Sequence, residues 1–221
     1  MSYAVARINT NDYMELANLT DQSKQEYCDR HGYKFFKGQD KDMVIITKPF
    51  SVKMNFNKMH YVLKILKENP DIEWLLFCES DAMITNMTVR IEDKIDNNYH
   101  FIIPVDRLNL NAGNWLIRNS LEAIAYFERI YSMANEYGGK EWAEQQAIID
   151  TIEEYSDIVK VVPQKYMNCY EPQIYDYADV SMDLFGESGV WEPGDWILHW
   201  PGIREQVRIE RAKEISKLIV R

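Results

Sequence analysis

Cysteine is scarce in this 221-residue chain: three residues, Cys28, Cys78 and Cys169, odd in number, far apart and without a CxxC pair. That argues against a disulfide framework and leaves buried free thiols in a reducing compartment as the simplest reading. Positive charge is also in deficit, with 25 Lys and Arg against 35 Asp and Glu and a net charge of −10. A nucleic-acid polymer normally needs a basic face, so that class of partner is excluded, whereas a small anion can bind where a metal supplies local positive charge. No apolar run approaches the ~20 residues of a transmembrane helix, and the N-terminus has no signal-peptide pattern. The chain therefore reads as a soluble, cytoplasmic protein without a transmembrane segment. Internal repeats, low-complexity runs and linkers are missing too. With 46% hydrophobic and 13% aromatic residues, one globular domain with a large core is the expected organisation.

What is present centres on residues 74–82, WLLFCESDA. Five apolar residues run into two carboxylates, Glu79 and Asp81. A short continuous apolar run reads as a strand buried on both faces in a parallel sheet. In extended backbone, side chains two apart share a face, which would aim Glu79 and Asp81 the same way and turn Ser80 aside. Ligands of open α/β sheets bind beyond the carboxyl ends of the strands. Two acidic groups there suit an oxygen-ligated divalent cation such as Mg²⁺ or Mn²⁺.

In chain order, 3–8 reads as a first strand followed by the polar turn Asn9-Thr10-Asn11, which offers groups to a base or ribose. Asp12 and Glu15 have capping-box spacing for a helix to about His31, with Gly32 placed to end it. Strands are expected at 33–37 and 43–47. Ser51 is a candidate cap for a helix whose stripe is Phe56, Met59, Val62, Leu63 and Leu66. Lys58 lies off that stripe. Residues 101–105 form a strand in which Pro104 implies an edge position or a distortion. Gly113, just before a short strand at 115–117, implies close backbone approach. Ser120 caps a helix closed by Gly138-Gly139, 141–155 is a further helix, and 158–162 a strand. The aromatic-rich stretch 166–193, with Tyr170, Tyr175, Tyr177 and Trp191, is a candidate acceptor site, since flat apolar rings suit sugar faces, or else extra core under a long connection. A strand ending at His199 and a final helix from Arg204 complete the chain.

Five blocks in this order resemble one family: 74–86, the NAGNWLIRNS block at 111–120, Glu144-Gln145-Gln146-Ala147, 162–170, and GDWILHWPG at 194–202. The series is similar to that of the retaining galactosyl-, mannosyl- and xylosyltransferases of the yeast Golgi and plant xyloglucan type. The length also resembles free-standing glycosyltransferase domains of large algal viruses, which would place the protein in the host cytoplasm. The resemblance implies a GT-A fold, that is, an α/β, Rossmann-like, mostly parallel sheet flanked by helices. It further implies a nucleotide-binding half at 1–105 and a sugar and acceptor half at 106–221.

The resemblance also implies roles. Asp81 and His199 would hold Mn²⁺ or Mg²⁺ on the diphosphate of a nucleotide-sugar donor, with a glycan or glycoprotein as acceptor. Glu79 stands where the family carries Asp, and its longer side chain would reach the ion, a metal-bound water or a ribose. Ile8, Asn9, Thr10, Lys58 and Ser80 match positions around the nucleotide, usually uridine or guanosine diphosphate. Asn111, Ala112 and Gly113 would line the sugar pocket and Gly202 and Arg204 face the diphosphate. Asp106 would bind donor hydroxyls and Gln145, beside Glu144, would face the reactive carbon. An amide is a poor nucleophile, so front-face attack is the expected mechanism. Competing classes are a nucleotidyltransferase or phosphatase and a catalytically weak sugar-binding module. A glycoside hydrolase is disfavoured because carboxylates two residues apart do not flank a glycosidic bond at ~5–9 Å.

Overall fold

The structure is a computed structural model and describes residues 2–47, 51–175 and 179–221. Its central sheet has six strands in the order β2-β1-β3-β6-β5-β7: β1 (Ser2–Ile8), β2 (Lys34–Gly38), β3 (Ile72–Cys78), β5 (Phe101–Pro104), β6 (Asn114–Arg118) and β7 (Val159–Val162). The pairs β1–β2, β1–β3 and β5–β7 are parallel, while β6 runs antiparallel to both β3 and β5. A second, two-stranded antiparallel sheet joins β4 (Ala82–Ile84) to β8 (Ile197–His199).

The apolar run of β3 is continuous because both faces of the sheet are covered. Leu75 and Phe77 point into a core shared with the helices α2 (Asn57–Glu68), α3 (Leu121–Ser132) and α5 (Ala143–Thr151). Trp74, Leu76 and Cys78 point into the opposite core, with Tyr27 and Cys28 of α1 (Met14–His31) and with Met167 and Trp196. Alternate residues thus serve two cores. The predicted stripe of α2 is buried throughout. Ser120 caps α3 by accepting from the Ala123 N–H, and Gly32 ends α1 in the left-handed region at φ 70°. A short α4 (Ala134–Tyr137) runs up to Gly138, and α6 (Glu205–Ile215) packs Ile209, Ala212 and Ile215 into a third core with Leu16, Met83 and Trp200. All three cysteines are buried and free. Among the described residues, no helix is long and apolar enough to cross a membrane.

Several local expectations are corrected. Asp12 falls in a single 3₁₀ turn, α1 starts only at Met14, and no side-chain cap forms, so the Asp12/Glu15 spacing has no capping function. Residues 43–47 form no strand. The Asn57 side chain takes the place of a strand neighbour, accepting from the Val44 and Ile45 N–H groups (2.9 Å each) and donating to Ile45 O (2.6 Å), which leaves Val44 and Ile46 exposed. Ser51 precedes a 3₁₀ turn and makes no cap bond. The segment 141–155 divides into α5 and a 3₁₀ turn at Ile152–Tyr155. Pro104 sits on an interior strand; pairing with β6 stops at Ile102, so its missing N–H breaks no bond of that ladder.

Candidate active site

β3 ends at Cys78, and the chain turns at once through Glu79, Ser80 and Asp81, closed by a hydrogen bond from Ala82 N–H to Glu79 O (3.1 Å). The two carboxylates therefore converge through a turn, not through strand alternation. β4 then pairs with β8, placing Ala82 opposite His199, while Trp200 N–H donates to Asp81 O (3.0 Å). This second sheet carries a residue 118 positions away in sequence to the acidic turn. His199 Nε2 lies 3.3 Å from Asp81 Oδ1 and 3.6 Å from Glu79 Oε2. Gly113 leaves room for the imidazole: a Cβ there would stand 2.3 Å from His199 Cε1.

The histidine is buried, and its Nδ1 is 2.8 Å from Asn168 Oδ1. An amide oxygen only accepts, so Nδ1 carries a proton and Nε2 is the nitrogen that faces the carboxylates, protonated while no cation is bound and able to give its lone pair to one. Nε2 makes no hydrogen bond. Burial alone would lower the His199 pKa, but the Asp81 and Glu79 carboxylates override it and raise it to about 9. Burial likewise works against ionised Asp81, and His199 with Arg208 outweighs it, holding Asp81 down at about 2. Ligand atoms of Glu79, Asp81 and His199 all lie within 4.8 Å of one another. A buried imidazole nitrogen that meets two carboxylates, and that can lose its proton to a metal, fits a divalent cation, and the mixed N/O donor set fits Mn²⁺ better than Mg²⁺.

Beside this cluster, Lys58 is buried with its three donors on three acceptors: Glu79 Oε1 (2.5 Å), Glu144 Oε1 (2.8 Å) and Ala112 O (3.1 Å). Its burial opposes the charge, but the two carboxylates hold it protonated and raise its pKa. Burial raises the pKa of Glu144 against the pull of Lys58, and Glu144 Oε2 has no hydrogen-bond partner. Gln145 accepts from the Ala112 N–H (3.0 Å), so Gln145 holds this loop directly, while Glu144 reaches it through Lys58, which donates to Ala112 O. They follow Ala143, whose φ of 39° is the one positive value at a non-glycine residue among those described. Asp106 accepts four hydrogen bonds, from the N–H groups of Leu108 and Asn109, from Asn111 Nδ2 and from the Tyr170 hydroxyl. Asn111 Oδ1 in turn accepts from Gly113 N–H (2.9 Å).

A cavity of about 270 Å³ opens on the acidic turn. Its walls include seven residues singled out from sequence, Ile8, Asn9, Thr10, Lys58, Glu79, Ser80 and Asp81, together with Tyr13, Met43, Met54 and Arg208. Asp106, Asn111, Ala112, Gly113, Glu144, Gln145 and His199 form the network behind the turn and do not line that cavity. Arg204 is exposed at the start of α6 and Gly202 occupies the preceding turn at φ 72°; neither lines it. The arginine there is Arg208, one helical turn on, whose Nη1 is 2.8 Å from Asp81 Oδ2 and whose Nε donates to Ile203 O. Sequence reasoning missed Arg208 and Asn168, although Asn168 lies in a block it had matched, and it placed Tyr170 in the aromatic stretch where the structure buries its hydroxyl against Asp106 and Asn111. Trp191 is half-buried and donates to Thr85 Oγ1 (3.0 Å); Tyr177 lies outside the described residues.

The sheet and its flanking helices have the GT-A fold of solved glycosyltransferases. A solved glycosyltransferase involved in glycosylation of the major capsid of PBCV-1 superposes with a TM-score of 0.75 at 16% identity, covering 96% of this chain and all of that one. The galactosyltransferase LgtC, solved with donor and acceptor sugar analogs, gives 0.62 at 12% identity over 99% of this chain and 96% of its own. In sequence, residues 5–98 match the galactosyl transferase GMA12/MNN10 family. An alpha-1,2-galactosyltransferase of Schizosaccharomyces pombe is 26% identical over 82% of this chain and 54% of its own length. The chain spans about half the length of that curated relative. These similarities bear out the resemblance read from the five sequence blocks.

Proposed function

We propose that the chain is a metal-dependent hexosyltransferase. It takes a uridine- or guanosine-diphosphate sugar as donor, transfers the sugar to a glycan or glycoprotein hydroxyl, and retains the anomeric configuration. The observation that carries this reading is the convergence of His199 Nε2, Asp81 and Glu79 on one point beside a cavity walled by residues from both halves of the chain. Glu79, Asp81 and His199 would hold a Mn²⁺, and the bound ion would supply positive charge to a departing diphosphate.

The chain's own residues supply the rest. Residues 1–105 serve the nucleotide: Ile8, Asn9, Thr10 and Tyr13 wall the base and ribose side of the cavity. Arg208 replaces Arg204 as the cation for the diphosphate, since it lines the cavity and its fork suits phosphate oxygens. Residues 106–221 serve the sugar and acceptor. With four hydrogen bonds already accepted, Asp106 fixes the loop bearing Asn111–Ala112–Gly113, which walls the sugar. Gln145 is a weak nucleophile whose oxygen is engaged by the Ala112 N–H, which supports front-face attack. The acceptor oxygen bonds to the anomeric carbon as the carbon–phosphate oxygen bond breaks, and its proton passes to the departing phosphate. Support for the acceptor side comes from Leu108, Leu184 and Phe185, all exposed on loops joined by a hydrogen bond from Leu184 N–H to Asp106 O (3.1 Å).

The test is product analysis with uridine- and guanosine-diphosphate hexoses and Mn²⁺. Release of the nucleoside diphosphate, abolished by EDTA and by Asp81→Asn, is expected. Release of pyrophosphate would mark a nucleotidyltransferase, and binding without turnover on any acceptor a sugar-binding module. Either result overturns the proposal.

A further inference from the structure

We propose that Thr20 and Lys24 of α1 are positioning residues for the metal-binding turn, an inference that rests on the reading of that turn given above. The two are four apart on one helix and are both fully buried. Residues at that spacing lie on one helix face, one turn apart. Thr20 Oγ1 donates to Ser80 O (2.8 Å) and Lys24 Nζ donates to Ala82 O (2.6 Å). The carbonyl between them, Asp81 O, accepts from Trp200 N–H, and Glu79 O accepts from Ala82 N–H. Every carbonyl from 79 to 82 is thus held, two of them by α1 from beneath, and the carboxylates have a fixed base from which to converge.

Lys24 is the informative member. An ammonium group is costly to bury and has three donors, yet Ala82 O is the single acceptor it reaches among the described residues. Burial lowers its pKa, against a pull toward the charged form from the Asp21 and Asp81 carboxylates. An apolar side chain would tie α1 to the sheet at less cost. Its donor is spent on the backbone just past Asp81, so the ammonium ties the far end of the acidic turn to α1. Partners hydrogen-bonded to metal ligands typically change metal affinity 10–100-fold when removed, and Thr20 and Lys24 act one step back, on the backbone that carries the ligands.

The test is Mn²⁺ binding without substrate, read from the electron paramagnetic resonance signal of free Mn²⁺, on wild type, Thr20→Val, Lys24→Met and Thr20→Ser. Circular dichroism and melting curves check each variant for folding. The expected result is Mn²⁺ binding weakened about tenfold or more in Thr20→Val and Lys24→Met, with Thr20→Ser close to wild type. Folded Thr20→Val and Lys24→Met proteins that bind Mn²⁺ as tightly as wild type would overturn the proposal and leave these residues as ties between α1 and β4. Absence of Mn²⁺ binding in wild type itself would overturn the metal site first, and this inference with it.

Discussion

Replacing Lys58 with methionine should destabilise the protein in a way that depends on pH. In the folded protein Nζ lies 2.5 Å from Glu79 Oε1 and 2.8 Å from Glu144 Oε1, and both Lys58 and Glu144 are buried. Removing one partner of a buried ion pair costs about 3–5 kcal/mol because the other charge is left uncompensated. For a chain of this size that is about 6–20 °C in melting temperature. Glu79 is half-buried and can turn toward water, so the burden falls on Glu144, whose pKa burial already raises. A carboxyl whose folded pKa exceeds its unfolded value stabilises the fold while protonated, and that contribution is lost as pH rises. The loss in Lys58→Met should therefore be smallest near pH 5 and grow toward pH 8. Adding Glu144→Gln should recover most of it. Urea unfolding at pH 5, 6.5 and 8 on the single and double variants measures these terms. A loss below about 1 kcal/mol, or one identical at pH 5 and pH 8, would refute the assignment of Lys58 as the counter-ion of a buried Glu144.

Gly113→Ala adds a methyl 2.3 Å from His199 Cε1, so the ring must move. Mn²⁺ binding should weaken about 10–100-fold with a stability loss of about 1–3 kcal/mol, measured by metal titration and urea melts; unchanged metal affinity would contradict the geometry. Arg208→Gln should raise the donor KM and lower kcat while Arg204→Gln leaves both near wild type, because Arg208 alone of the two lines the cavity. Equal effects in steady-state kinetics would return the phosphate role to Arg204. Asn57→Ala removes three hydrogen bonds to the 43–47 segment, which borders the cavity through Met43. It should make the amides of Val44 and Ile45 exchange faster with solvent while those of β3 stay protected, as hydrogen exchange followed by mass spectrometry can read.

The parts of the fold legible in sequence were those where one rule acted alone. The run from Trp74 to Cys78 had to be a strand covered on both faces, and the α2 stripe had to be core. Gly113 announced a close approach before its partner, His199, was known. Legibility failed where a side chain replaced a backbone partner, as Asn57 does at 43–47, and where burial was polar. The buried face of α1 includes Thr20, Asp21, Ser23 and Lys24, which no hydrophobic period reveals. In the site, the residue types at Asp81, Glu79 and His199 pointed to a metal, but their meeting depends on β8 pairing with β4 across more than a hundred residues. Arg208 reaches Asp81 because α6 begins at Glu205 and aims its first turn at the acidic residues, a direction set by packing.

The central claim is a cation site built from Glu79, Asp81 and His199 that serves a nucleoside diphosphate. It is tested most directly by thermal unfolding of wild type and Asp81→Asn with uridine or guanosine diphosphate, each with Mn²⁺ or EDTA. Ligands that bind only the folded state raise the melting temperature by mass action. The account predicts a rise with one nucleotide that requires Mn²⁺ and disappears in Asp81→Asn. A rise that survives EDTA, or none with either nucleotide, would contradict it.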